Sequence, residues 1–344
     1  MSLKFTDLKQ DGYERVLLAE ESVTGFYSII AIHNTKRGPA LGGCRFFGYH
    51  GEDDQKKDVL KLSKAMTYKN SLADLDFGGG KATINSRVSK SKMYELYGKM
   101  LDHLDGSYIT AGDIGIVDQD LVELKKYTNY VCSTKGTDSG QSTAYGVFNA
   151  ILGYNEFKYD SSSIENKKIV LKGFGKVGSR LAHFCREVGA IVEVVDFESN
   201  RSLIENAGFK FLSKYQNTSF DSIDIFSPCA TGGDLNTEFI EFANSVKIDC
   251  VIGAANNQLE NNTIEKNLFD MGITFCPDYC VNAGGVIILA LRSSIKEDME
   301  YLDTEAKNKL IGIKNQLIKI LTLSKEKNQL TTVSSNELAE AGFQ

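Results

Sequence analysis

The sequence predicts an α/β protein of two domains, and three observations lead there. The chain has 344 residues, which suits two domains on a norm of roughly 150 residues each. Hydrophobic residues make up 42% and charged residues 24%, a balance that fills packed cores and excludes a disordered chain. From Lys168 onward, short apolar runs alternate with helical patterns, as βαβ units of a parallel sheet require.

Composition also excludes functions. The net charge of -6, with no basic stripe, argues against nucleic acid as a partner. No apolar run is long enough for a membrane span, and Met1 to Gln10 is too polar for a signal peptide, so a cytoplasmic location is expected. The seven cysteines then read as reduced thiols. Cys276 and Cys280 lack a second pair, and the four histidines stand at no metal-ligand spacing, so no metal is expected.

Taken in order, residues 13 to 22 read as a short helix or a lead-in. Gly25 to Ile32, rich in β-branched and aromatic residues, reads as a strand. Gly38-Pro39-Ala40-Leu41-Gly42-Gly43 reads as a plain turn, or as bare backbone held against a ligand. Glu52 to Ala73 carries Val59, Leu62, Ala65 and Met66 on one helical face and ends near Lys69. Gly78-Gly79-Gly80 then precedes Lys81 and the apolar stretch Ala82-Thr83-Ile84. Most lysines are solvated, but three glycines let backbone or ligand approach closely. Lost hydration lowers a lysine's pKa and suits it to act as a general base, while a second, charged lysine holds a carboxylate. Residues 91 to 104 form a helix. Ser107 to Gly115 reads as a strand ending in a loop, where Asp113 is a turn former or a carboxylate beside Lys81. A helix at 118 to 127 and a strand at Tyr130-Val131-Cys132 close the first half.

A helix runs from about Ser139, through Thr143, to Phe157. Lys168 to Leu171 is a buried strand, and Gly173-Phe174-Gly175-Lys176-Val177-Gly178 after it matches G-x-G-x-x-G. A helix from Ser179 to Val188 and a strand from Ile191 to Val195, ended by Asp196, complete a dinucleotide-binding Rossmann signature. Asp196 is placed to bind both ribose hydroxyls and repel a 2′-phosphate, which favours NAD over NADP. Further strands are expected at Ile223 to Phe226, Val251 to Asn257 and Thr274 to Cys276. The Gly/Ala/Asn-rich loops at their ends carry Ala230, Ala255 and Asn256, where parallel sheets bind ligands. Asn282 is an N-cap of the helix Val286 to Arg292, or an amide offered to a carboxylate. An amphipathic helix spans 297 to 324, and Ser334 to Glu337 resembles a capping box before a last short helix.

These stretches, with Met66 to Asn70, Ile109 to Asp113, Thr143 to Val147, Ser227 to Ala230, Gly253 to Leu259, Pro277 to Tyr279 and Val281 to Val286, resemble the leucine/phenylalanine/valine dehydrogenase branch of the glutamate dehydrogenase superfamily. The resemblance spans nearly the whole chain. It implies a mixed-sheet α/β substrate and oligomerisation domain over 1–138 and a Rossmann NAD domain over 139–320, with 321–344 packing back on the first. It implies that an L-amino acid and NAD give a 2-oxo acid, ammonium and NADH, in a homo-oligomer, dimeric or octameric. Lys81 is then the base that activates water, and Asp113 assists proton transfer. Lys69 and Asn282 bind the carboxylate, with Gly42 and Gly43 nearby. Leu41, Met66 and Ala111 line the side-chain pocket, which suits branched aliphatic substrates. Thr143, Ala230, Ala255 and Asn256 lie on the nicotinamide side, beside the 173–178 loop and Asp196. The chain departs from its relatives at Cys44, at Gly112, and in a shortened 136–142 loop. Gly112, lacking a side chain, is expected to leave room for an aromatic substrate.

Overall fold

A computed structural model describes residues 3–132, 138–294 and 299–343. Its contacts divide the chain into two compact units. The first comprises Met1–Thr137, Val286–Leu302 and Ala339–Gln344, and the second Asp138–Gly285 and Asp303–Leu338. Where the sequence reading returns 321–344 to the first domain, the division returns Val286–Leu302 and Ala339–Gln344. Residues 136–137 of the shortened loop, and 297–298 at the start of the long helix, lie outside the described residues.

The first unit contains β1 (Lys4–Asp7), β2 (Arg15–Glu21), β3 (Phe26–Asn34), β4 (Ala40–Phe47), α1 (Glu52–Leu72), β5 (Gly78–Asn85), α2 (Lys90–His103), β6 (Tyr108–Gly112) and α3 (Asp118–Leu124). The sheet order is β1-β2-β3-β5-β4-β6. β4 runs parallel to β5 and β6, whereas β1, β2, β3 and β5 pair antiparallel, so the sheet is mixed. Three readings change. Residues 15–21 are a strand and not a helix: their apolar run is too short for periodicity to decide, and pairing with β1 and β3 decides it. Residues 40–43 are strand and not turn. The turn is at Gly38, with φ of 131°, and β4 lies between two parallel neighbours, whose glycines let the backbones close up. Tyr130–Cys132 makes only a bridge, Val131 to Thr110.

Strand alternation sorts the sheet into two faces. Ala40, Cys44, Ala82, Ile84 and Tyr108 join Met93, Leu96, Tyr97, Met100 and Leu101 of α2 in one core. Burying each large apolar side chain there contributes about 1.5–3 kcal/mol. The opposite face lies under α1. There Gln55 donates to Thr83 O at 3.1 Å, and Gly79 sits directly beneath Thr67. A Cβ on Gly79 would lie 2.0 Å from Thr67 N and 2.3 Å from Thr67 Cα. The space cleared by this glycine is therefore filled by the helix backbone. Gly79→Ala is expected to cost at least about 1–3 kcal/mol by pushing α1 off the sheet, checked as a lowered urea midpoint. An unchanged midpoint would contradict this packing.

The second unit holds α4 (Ser139–Tyr159), β7 (Lys168–Lys172), α5 (Gly178–Glu187), β8 (Ile191–Val195), α6 (Arg201–Asn206), β9 (Lys210–Leu212), β10 (Ser222–Pro228), α7 (Thr237–Ser245), β11 (Lys247–Val251), α8 (Asn262–Asp270), β12 (Thr274–Phe275) and α9 (Asp278–Val281). α10 (Gly284–Ser294), α11 (Met299–Lys327) and α12 (Thr331–Ala341) complete the chain. All six strands are parallel, in the order β9-β8-β7-β10-β11-β12. Counted along the chain that is 3-2-1-4-5-6, the doubly wound dinucleotide order. β11 ends at Val251, so 252–257 is loop where the sequence reading places strand; Gly253 cannot carry a Cβ because Pro228 O would lie 2.1 Å from it. α12 begins at Thr331, which moves Ser334 inside the helix and away from capping. Glu265 of α8 caps it instead, accepting from Thr332 N at 3.0 Å and Thr331 Oγ1 at 3.1 Å. Among the described residues no helix is long and apolar enough to cross a membrane.

Candidate active site

In the first unit the α1 face of the sheet collects polar groups. Lys81 is 6% exposed, and its Nζ lies 2.8 Å from Asp113 Oδ2. Arg45 Nε donates to the same Oδ2 at 3.1 Å. Arg45 Nη1 donates to both oxygens of Asp58, at 3.1 and 2.9 Å, and Tyr49 OH donates to Asp58 Oδ2 at 2.7 Å. Burial works against an ionised Asp113, but the Lys81 ammonium and the Arg45 guanidinium outweigh it and hold the carboxyl below its ordinary range. On the far face, burial pushes the Cys44 thiol up to about 12, which leaves it inert.

Leu41 and Gly43 alternate onto the Lys81 face with Arg45, and Ala111 pairs with Gly43. A Cβ on Gly43 would lie 3.0 Å from Asp113 Cβ. Gly42 alternates onto the α2 face, where Tyr108 OH donates to its carbonyl at 2.8 Å. Met66 and Lys69 are half-buried on α1, Lys69 in its last turn. That turn is tied to the C-terminus by Tyr68 OH to Glu340 Oε1 at 2.5 Å and by Ser71 Oγ to Ala339 O at 2.7 Å. A Cβ on Gly112 would meet Ile116 O at 3.2 Å and Leu121 Cδ1 at 3.7 Å. Alternation thus turns Gly112 away from the Lys81 face, contrary to its expected effect on substrate size. Sequence reasoning missed Arg45 and Asp58. The available signal was period-two alternation, which puts Arg45 in line with Leu41 and Gly43.

In the second unit the expected cofactor residues gather at the carboxyl ends of β7, β8, β10 and β11. Gly173 turns with φ of 103°. A Cβ on Gly175 would meet nothing within 4 Å, and one on Gly178 would meet Gly173 O at 1.9 Å. These are a tight turn, an open approach and a close helix–strand contact, in that order. Lys176 and Val177 complete the loop before α5, whose N-terminus favours a phosphate. Phe174 N donates to Asp196 Oδ2 at 2.5 Å, so Asp196 also holds the loop. Ala230 packs against Gly173 at the point where strand order reverses. Thr143 Oγ1 donates back to Ser139 O at 2.7 Å. Ala255 is buried and Asn256 exposed.

Asn282 does not cap α10 through its side chain. Its Nδ2 donates to Ala254 O at 3.1 Å and Asn256 Oδ1 at 2.9 Å, and its buried Oδ1 accepts from none of the described residues. Ala254 O can only accept, which fixes the amide's orientation. The group left over is therefore an acceptor, and a carboxylate needs a donor.

A doubly wound dinucleotide unit, joined in one chain to a unit with a buried lysine–carboxylate pair, defines an oxidoreductase of the dehydrogenase class. Comparison with known proteins narrows the class. The family description "Glu/Leu/Phe/Val dehydrogenase, dimerisation domain" matches residues 14–130, and "Glutamate/Leucine/Phenylalanine/Valine dehydrogenase" matches 196–342. The chain is 34% identical to phenylalanine dehydrogenase of Caldalkalibacillus thermarum (strain TA2.A1), over 96% of this chain and 91% of the relative. It is 35% identical to leucine dehydrogenase of Geobacillus stearothermophilus, over 95% and 90%. The structure resembles that of L-tryptophan dehydrogenase from Nostoc punctiforme, with a TM-score of 0.84, 32% identity and 96% of each chain covered. The chain belongs to the glutamate/leucine/phenylalanine/valine dehydrogenase family, whose members are amino acid dehydrogenases.

Proposed function

We propose that the protein catalyses NAD-dependent oxidative deamination of an apolar L-amino acid, to a 2-oxo acid and ammonium. The observation that carries this is the ion pair of Lys81 with Asp113 on the α1 face, in a chain that also holds a complete dinucleotide loop. NAD, when bound, supplies the hydride acceptor. Gly173 to Gly178 would hold its pyrophosphate, Asp196 its ribose, and Thr143, Ala230, Ala255 and Asn256 its nicotinamide side. The open approach at Gly175 supports that fit. Lys69 binds the substrate carboxylate. Asn282, with its donors engaged, offers its oxygen to an N–H of cofactor or substrate. Asp113 receives the substrate ammonium and moves a proton to and from nitrogen. Lys81 acts in its neutral form, after passing its ammonium proton to solvent: it takes a proton from the water that attacks the imine carbon, and the carboxylate beside it holds its amine in place.

Leu41, Ala111 and Met66 give the side-chain pocket an apolar lining, which favours branched aliphatic substrates. A second reading, an aromatic substrate, is favoured by the phenylalanine and tryptophan dehydrogenases among the similar proteins. The family description of residues 14–130 also favours self-association, which we propose for this chain. A panel of single L-amino acids with NAD, followed by NADH absorbance, tests the reading. Leucine, valine or isoleucine is expected to give the highest kcat/KM. Preferred turnover of phenylalanine or tryptophan would establish the second reading, and no turnover of any amino acid would refute both.

A further inference from the structure

Asp113 has two carboxylate oxygens, and the structure uses them unequally. Oδ2 receives Lys81 Nζ at 2.8 Å and Arg45 Nε at 3.1 Å. Among the described residues, no hydrogen bond is made to Oδ1. Arg45 is itself anchored at its other end, where Nη1 spans both oxygens of Asp58, and Tyr49 OH holds Asp58 from behind. The side chains of Arg45, Asp58 and Asp113 are 18%, 26% and 24% exposed, so this chain of charges is largely shielded from water. A groove of about 350 Å³ runs along it, lined by Phe47, Tyr49, His50, Asp54 and Ile114 as well as Arg45 and Asp58. Exposed surface ion pairs contribute little, but a planar guanidinium fixed between two shielded carboxylates sets their geometry.

From this arrangement we infer that Arg45 is a positioning residue for the reaction. It fixes one oxygen of Asp113 beside Lys81, so that the other oxygen is aimed at the substrate ammonium. The inference rests on the amino-acid reading of the site. It assigns Arg45 no contact with substrate or cofactor. The charged and titratable groups around Asp113 are Lys81 of β5, Arg45 and Cys44 of β4, and Asp58 with Tyr49 behind Arg45. Asp54 of α1 and His50 of the loop before it line the same groove as Arg45 and Asp58. Of the cations among them, Arg45 and Lys81 touch Asp113. Removing the guanidinium takes away one of these two cations, so Asp113 protonates at higher pH, and activity that needs its ionised form is lost earlier as pH falls.

The test compares wild type, Arg45→Met and Arg45→Lys as full-length chains with the preferred amino acid and NAD. It measures kcat and KM separately across pH, cofactor Kd by fluorescence, and thermal unfolding. Arg45→Met is expected to lower kcat/KM for the amino acid about 10- to 100-fold, the range of a charged hydrogen bond, with cofactor Kd unchanged. Its acid limb should move to higher pH. Arg45→Lys keeps the charge but cannot span both carboxylates. It should lose kcat while its acid limb stays near that of wild type, and it carries the test if Arg45→Met does not fold. The inference is overturned if folded variants keep the wild-type kcat and acid limb, or if activity falls only with the folded fraction. If wild type itself turns over no amino acid, the functional reading fails instead, and the two failures are distinct.

Discussion

Lys81→Ala is expected to abolish turnover, with kcat falling about 10²- to 10⁴-fold, the contribution of a positioned acid–base group. Cofactor Kd should stay within a few-fold of wild type, because the dinucleotide loop belongs to the second unit, at residues 173–178. The variant also strips Asp113 of its 2.8 Å partner and leaves Arg45 alone to support that carboxylate. Lys81→Met separates loss of the amine from loss of the packed stem. It keeps the stem and removes the amine, so equal losses in both variants would assign the defect to the amine itself. Stopped-flow absorbance and cofactor titration measure the two quantities. Turnover close to wild type in either variant would remove Lys81 from the chemistry.

The second large effect concerns cofactor choice. Asp196 accepts from Phe174 N at 2.5 Å, Phe197 N at 2.7 Å and Asn200 Nδ2 at 3.0 Å. A carboxylate has about four acceptor sites, so these bonds leave room for a ribose hydroxyl and none for a phosphate. Asp196→Ala is expected to shift the ratio of kcat/KM for NAD over NADP by about 10- to 100-fold toward NADP. A charge-assisted hydrogen bond is worth about 1.5–3 kcal/mol, and like-charge repulsion is lifted as well. The substitution also frees Phe174 N, so binding of both cofactors should weaken. Asp196→Asn keeps an acceptor for that N–H and should shift the ratio with less loss of binding. An unchanged ratio in both variants would assign the choice to another group.

The parts of the fold that were legible in the sequence were those in which local chemistry and tertiary context agree. Gly173, Gly175 and Gly178 each answer a backbone demand within a few residues, so a six-residue pattern carries them. α2 shows its buried face as 3.6-residue periodicity, whereas α1 buries Gln55, Ser63, Thr67 and Asn70 and leaves Leu62, Ala65 and Met66 of its expected apolar face only half-buried. Arg15–Glu21 and Ala40–Phe47 did not read as strands, because their state is set by partners far along the chain, Phe26–Asn34 for the first and Gly78–Asn85 and Tyr108–Gly112 for the second. Glu265 as a cap for α12 is invisible for the same reason: donor and acceptor are 67 positions apart. The same holds at the candidate site. Lys81 stood out through its glycines, though Gly79 serves helix packing and not a ligand. Alternation along β4 puts Arg45 on the face of Leu41 and Gly43, but its pairing with Asp113 depends on the register that sets β4 beside β6. Asn282 could be singled out by sequence, but which of its amide atoms remains open depends on Ala254 and Asn256.

The central claim is that the amine of Lys81 and the carboxylate of Asp113 release ammonium in step with reduction of the nicotinamide cofactor. The most direct measurement is product stoichiometry from wild type with its preferred amino acid: NADH by absorbance, ammonium by coupled assay, and 2-oxo acid by chromatography. The account predicts equimolar amounts of all three. NADH formed without ammonium would contradict it.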